Sequence, residues 1–132
     1  MSREKLVTEH RIQCDFIRWV RTFHPTTLFC ATVGGKSCHL IENVKAKAEG
    51  YNKGIPDLFF YEPSKDRKFV GLALELKTAS GVLRPEQVTW LRRLDEKGWK
   101  TAVPRSVEEC KAEFNQYFGH KVLKSETSKP KK

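Results

Sequence analysis

The chain has no run of apolar residues near the ~20 needed to cross a bilayer. Its first residues, Met1-Ser2-Arg3-Glu4-Lys5, lead into an amphipathic stretch instead of the apolar core of a signal peptide. A soluble, intracellular protein is therefore expected, in the cytoplasm of its host or source cell or in a nucleus. There is no Cys-x-x-Cys pair. The four cysteines (Cys14, Cys30, Cys38 and Cys110) are scattered and sit mainly among apolar neighbours. In a reducing compartment this reads as small core residues. A zinc site through Cys30, Cys38 and His39 is the sharper alternative, but it lacks the paired spacing that zinc modules use. Nor is there a helix-turn-helix, a zinc finger for reading bases, or an internal repeat.

Acidic residues are in short supply. Against 25 Lys+Arg stand 16 Asp+Glu, for a net charge of +9 and a pI near 9.5. Without Lys129, Lys131 and Lys132 the charge is still +6 (9 − 3), so the body of the chain is itself basic. A surplus of this size points to an anionic partner, and nucleic acid is the commonest. At 132 residues the chain is expected to form one domain over 1–119, with a basic, disordered tail over 120–132.

Residues 5–23 place Ile12, Phe16, Val20 and Phe23 at helical spacing, and Pro25 stops the helix. Leu28–Val33 reads as a strand ended by Gly34-Gly35. A weaker helical pattern (Leu40, Ile41, Val44, Ala48) closes at Gly50. Strands are expected over 57–61 and 69–77, joined by a turn rich in Pro63, Ser64 and Asp66 into an antiparallel hairpin. Pro85 opens a helix whose buried stripe is read as Val88, Leu91 and Leu94, with Gly98 at its end. A short strand at Thr101–Val103 follows, parallel to its partner. Ser106 and Glu109 form a capping box for a last helix with Val107, Cys110 and Phe114 on its apolar side. The expected class is α/β: a small mixed β-sheet flanked by helices.

Strands are costly places for charge, yet Pro56-Asp57 opens one strand of the hairpin and Glu75-Leu76-Lys77 ends the other. Alternation puts Glu75 and Lys77 on one face and Leu74 and Leu76 on the opposite one. Pairing across the hairpin brings Asp57 toward Glu75 in some registers, and the sequence does not choose between them. Two carboxylates close together repel unless a proton or a cation lies between them. Hard oxygen donors suit Mg²⁺ or Mn²⁺, with waters and a substrate phosphate completing the octahedron. Such an ion polarises a phosphate and acidifies water, and Lys77 is placed to orient or deprotonate that water or to neutralise charge on phosphorus oxygens. Taken singly, each piece has an ordinary explanation. Pro-Asp is a common turn, Glu-Leu-Lys a common solvated face, and Glu9 and Gln87 common helix surface residues.

The combined pattern Gly54-Ile55-Pro56-Asp57-Leu58, Leu74-Glu75-Leu76-Lys77, Gly81, Pro85-Glu86-Gln87, Trp90, Leu94 and Gly98 resembles the virus-type replication-repair nuclease (VRR-NUC) domain. That family belongs to the PD-(D/E)xK nuclease superfamily. The likeness runs from about Glu9 to about Phe118. It implies a restriction-endonuclease-like core and a metal-dependent nuclease. Asp57 and Glu75 match the metal-binding acids, Lys77 the catalytic lysine and Gln87 an active-site helper. The resemblance also implies the Leu76 carbonyl as a further metal ligand. Glu9 falls where members carry an acid on the first helix, a place for which Glu4 competes. By likeness to Holliday-junction resolvases, a homodimer acting on branched or structured DNA is implied, with Mg²⁺ or Mn²⁺ as cofactor.

DNA would be held by backbone contacts from Lys36, Lys45, Lys47, Lys53 and Arg84, and Gly34, Gly35 and Gly54 let a backbone approach phosphate. Lys45 and Lys47 equally fit the solvated face of a helix. Two further readings share the same residues: a restriction-type enzyme with a sequence target, and a basic, non-catalytic DNA-binding protein of the same fold. A regulatory adaptor that binds other proteins fits the charge less well.

Overall fold

The alternation of apolar residues along the two central strands decides how the chain is layered. In the computed structural model, which describes residues 6–32 and 44–121, β2 (Leu58–Phe60) and β3 (Gly71–Leu74) are buried along their whole length. Leu58, Phe60, Leu72 and Leu74 turn to one face, where they meet helix α1 (Glu9–Phe23) through Ile12, Phe16, Trp19 and Val20, and helix α4 (Val107–Phe118) through Cys110, Phe114 and Tyr117. Phe59 and Ala73 turn to the other face and meet Leu94 and Trp90 of helix α3 (Pro85–Glu96). The core is therefore two layers of apolar contact around one sheet, built on the period-2 pattern. Each fully buried Phe of the larger layer (Phe16, Phe60, Phe114) contributes about 1.5–3 kcal/mol by removal from water.

Strand β1 (Phe29–Ala31) is one edge and β4 (Trp99–Ala102) the other, in the order β1-β2-β3-β4. The β1–β2 and β2–β3 pairs are antiparallel, and β3–β4 is parallel, connected through α3. A short helix α2 (Val44–Ala48) precedes β2. The expected mixed sheet, hairpin and parallel return are all present. Gly71 has a specific reason to lack a side chain: a Cβ there would run into the Trp99 ring on the neighbouring strand.

Several expected boundaries move inward. α1 begins at Glu9, where the Thr8 hydroxyl accepts the Arg11 N–H at 3.0 Å and caps the helix. β3 ends at Leu74, although Glu75 N–H and Lys77 N–H go on bonding to the carbonyls of Ala102 and Pro104 (3.0 and 3.3 Å), so the backbone remains extended past the strand. Val88, read as part of the buried stripe of α3, is exposed, and Gln87 is buried in its place. Among the described cysteines, Cys14 and Cys30 are exposed and Cys110 is a core residue, its thiol pushed up to about 12 by burial. Gly34, Gly35, Lys36, Cys38, His39 and most of the tail expected over 120–132 lie outside the described residues. No helix among the described residues is long and apolar enough to cross a membrane.

Candidate active site

Register makes the site. Leu58 pairs with Leu74, so the next residues outward, Asp57 and Glu75, stand opposite each other at the rim of the sheet. Asp57 is fixed there through its backbone and its side chain. Its N–H donates to the Leu74 carbonyl (3.1 Å), its carbonyl accepts the Thr32 N–H (2.8 Å), and its Oδ2 accepts the Leu76 N–H (2.8 Å). The choice that alternation left open is thus settled by a ladder that runs one residue beyond each strand.

Glu75 is almost wholly buried, at 3% exposure. Its Oε2 accepts a hydrogen bond from Gln87 Nε2 (2.9 Å) and lies 3.9 Å from Lys77 Nζ. Burial, then the charge of Asp57, and further the charge of Glu9, push its carboxyl up to about 8, against the opposing pull of Lys77 and Arg84. Lys77, also buried, extends its ammonium between Glu75 and Glu9, 3.9 Å from an oxygen of each. Glu9 reaches it from the first turn of α1 with about half of its side chain in solvent.

Gln87 acts at both ends of its amide. Oε1 accepts the Arg84 N–H (2.8 Å) and closes the first turn of α3, while Nε2 holds Glu75. A polar residue facing inward at the third position of a helix is legible as a cap. That the same amide also reaches a buried acid on β3 is not visible in one dimension.

The structure brings Glu9, Asp57, Glu75, Leu76, Lys77 and Gln87 to one end of the sheet. Two of the basic residues expected to touch DNA stand beside it. Arg84 Nε and Lys53 Nζ lie 3.4 and 4.0 Å from the Glu86 carboxylate, on the first turn of α3. Lys47 is exposed on α2; Lys45 lies in the same helix, and Lys36 is outside the described residues. Gly54 has a steric reason of its own to lack a side chain. At φ 95° it passes so near the Glu86 backbone that a Cβ would collide with it.

Arg105 was not anticipated. Its Nη1 donates to the carbonyls of Thr78 (2.8 Å) and Gly81 (2.7 Å), binding the turn that follows Lys77, and a Cβ on Gly81 would press on the Lys77 stem. The available signal was a lone arginine between the end of a strand and a Ser-x-x-Glu cap, which by itself reads as surface.

Oxygen donors from Asp57, Glu75 and the Leu76 carbonyl fit a hard divalent cation, and the upward displacement of Glu75 reflects first its burial and then the neighbouring carboxylate of Asp57. Among the described residues no three His, Cys, Asp or Glu side chains form a cage. An ion here would draw the rest of its shell from backbone, water and substrate, as Mg²⁺ commonly does.

Comparison with known proteins agrees with this fold. One solved structure, described as a VRR_NUC domain protein, superposes with a TM-score of 0.73 at 19% identity, over 88% of this chain and 92% of that one. At that identity the likeness establishes the fold. No curated protein matches the chain. The sequence model of the VRR-NUC domain matches residues 2–108, most of the chain, and so this protein belongs to the VRR-NUC family of nuclease-type domains.

Proposed function

We propose that the protein is a Mg²⁺- or Mn²⁺-dependent endonuclease that hydrolyses phosphodiester bonds in branched or structured DNA, as a Holliday-junction resolvase does. The observation that carries this reading is the buried Glu75, held by Gln87 and Lys77 and opposite Asp57 in register. Nothing about stability calls for that arrangement, since burying a lone carboxylate costs several kcal/mol unless something compensates it.

Asp57, Glu75 and the Leu76 carbonyl would hold the cation, with Glu9 the outermost acid. When bound, the cation supplies Lewis acidity toward the scissile phosphate and the attacking water. Lys77, held between Glu9 and Glu75, orients that water or neutralises the charge that grows on the phosphoryl oxygens. Gln87 keeps the Glu75 carboxylate in one rotamer. Lys36, Lys45, Lys47, Lys53 and Arg84 supply phosphate contacts without base reading, so recognition rests on shape and charge. A homodimer would present two such sites to two strands of a junction.

The test is cleavage of a four-way junction, a flap, a single strand and a plain duplex, with and without divalent ions. Cutting that requires the ion, favours branched DNA and disappears in Asp57→Ala, Glu75→Ala and Lys77→Ala proteins that still fold is the expected result. Undiminished cutting by Asp57→Ala overturns it. Salt-sensitive binding with no turnover in any metal would replace the enzyme with a non-catalytic DNA-binding protein.

A further inference from the structure

Next to the site, between α3 and the loop at Asn52 and Lys53, lies a cleft of about 440 Å³ to which the proposed reaction gives no role beyond the phosphate contact of Lys53. That volume is within the range of about 300–1,000 Å³ typical of small-ligand pockets. Its walls include Lys53, Glu86, Thr89, Trp90, Arg93 and Lys97. Three cations and one carboxylate make it basic. Glu86 is already engaged by Lys53 and Arg84.

Trp90 gives the cleft its character. The indole packs against the smaller core layer of Phe59, Ala73 and Leu94 and also lines the cleft, so its orientation is set by the core while part of it stays accessible. A large apolar ring held in this way among cations suits a flat, aromatic, anionic ligand. Arg93 and Lys97 lie one turn apart, so two like charges oppose each other. Their closeness to the end of the helix accounts for a basic residue there. It does not account for Trp90 between them and Lys53.

We infer that this cleft seats an unpaired nucleotide of the DNA substrate, its base stacked on Trp90 and its flanking phosphates on Lys53, Arg93 and Lys97. The inference rests on the nuclease reading and extends it from the cutting site to the strand beside it. The cleft and the site share one helical turn: Glu86 forms a wall of the cleft, and the next residue, Gln87, holds Glu75. A strand leaving the cleft past Glu86 would run toward the residue that holds Glu75. Base stacking on aromatic side chains tolerates any sequence, in keeping with the absence of a base-reading motif. It also gives a physical reason to prefer flaps, overhangs and frayed branch points over plain duplex, because only frayed or single-stranded positions offer a free base face.

The test uses the full chain in chelator, so that binding is read without cutting. A short oligothymidylate is expected to quench tryptophan emission, and Trp90→Phe, which leaves Trp19 and Trp99 in place, is expected to abolish the quench. Trp90→Leu, checked for folding by circular dichroism, should lower affinity for overhang DNA at least tenfold relative to blunt duplex. Because Trp90 also supports the core, Arg93→Gln/Lys97→Gln provides a second route through exposed positions and should lower the same ratio. Bound oligonucleotide without quenching overturns the inference. So does a double variant that weakens overhang and blunt DNA equally, as a diffuse basic surface would, or that changes neither. These measurements need no divalent ion. Failure of metal-dependent cutting would sink the enzyme and leave them standing, and their failure would leave the cutting site untouched.

Discussion

Glu75 connects stability and pH in a way a single substitution can expose. Its carboxyl moves from the ordinary value of 4.5 to about 8 on folding, chiefly through burial and then through Asp57. Between those values the unfolded chain has released a proton that the folded chain retains. The metal-free protein is therefore stabilised by this group below pH 4.5, and the contribution is lost as pH rises through 8. Urea denaturation in chelator across that window should show stability falling by roughly 2–4 kcal/mol more in the wild type than in Glu75→Gln. Parallel slopes in the two proteins would show that Glu75 does not carry the effect. Gln87 is a second case, because its amide both caps α3 and pairs with the buried acid. Gln87→Ala should cost about 1–3 kcal/mol of stability, measured in the same way.

At the scale of elements, much was legible and the losses have definite causes. Ile12, Phe16 and Val20 marked α1, Pro85 and Gly98 bracketed α3, Ser106 and Glu109 opened α4, and the turn at Pro63, Ser64 and Asp66 defined the hairpin. Each of these signals is local in sequence. What stayed hidden depends on partners distant in sequence. The register of Asp57 against Glu75 is set by the β2–β3 ladder. Gln87 displaced Val88 from the interior because a buried acid across the layer demands a donor. Gly54 is demanded by the approach of Glu86. Gly54→Ala combines a positive φ with that collision and should lose about 1–3 kcal/mol, measured by thermal melting. Arg105 belongs to the same class. Both carbonyls of Thr78 and Gly81 are met by the single atom Nη1, and a Lys ammonium ends one bond nearer the backbone, so Arg105→Lys should loosen the turn behind Lys77. The expected outcome is a fall of about tenfold in kcat with KM little changed, read in the junction-cleavage assay.

At the scale of the whole molecule, a net charge of +9 is large for a chain of this length. Binding to DNA should weaken linearly in log–log plots against salt. Replacing Lys47, Lys53 or Arg84 with Ala should each reduce the slope by about 0.9 if that side chain meets one phosphate of a duplex. An unchanged slope removes the residue from the interface. Sedimentation with and without a four-way junction tests the proposed homodimer: a single protomer in both states would contradict it.

The grouping of Glu9, Asp57, Glu75, Lys77 and Gln87 draws on α1, β2, β3 and α3, with Arg105 securing it from beyond β4. No fragment that stops short of Arg105 holds the whole grouping. A ribosome must release everything through Arg105 before the parallel strand can zip into place, and contacts this distant in sequence form late. A copy cut short before that point therefore lacks part of the grouping, a consequence of topology alone.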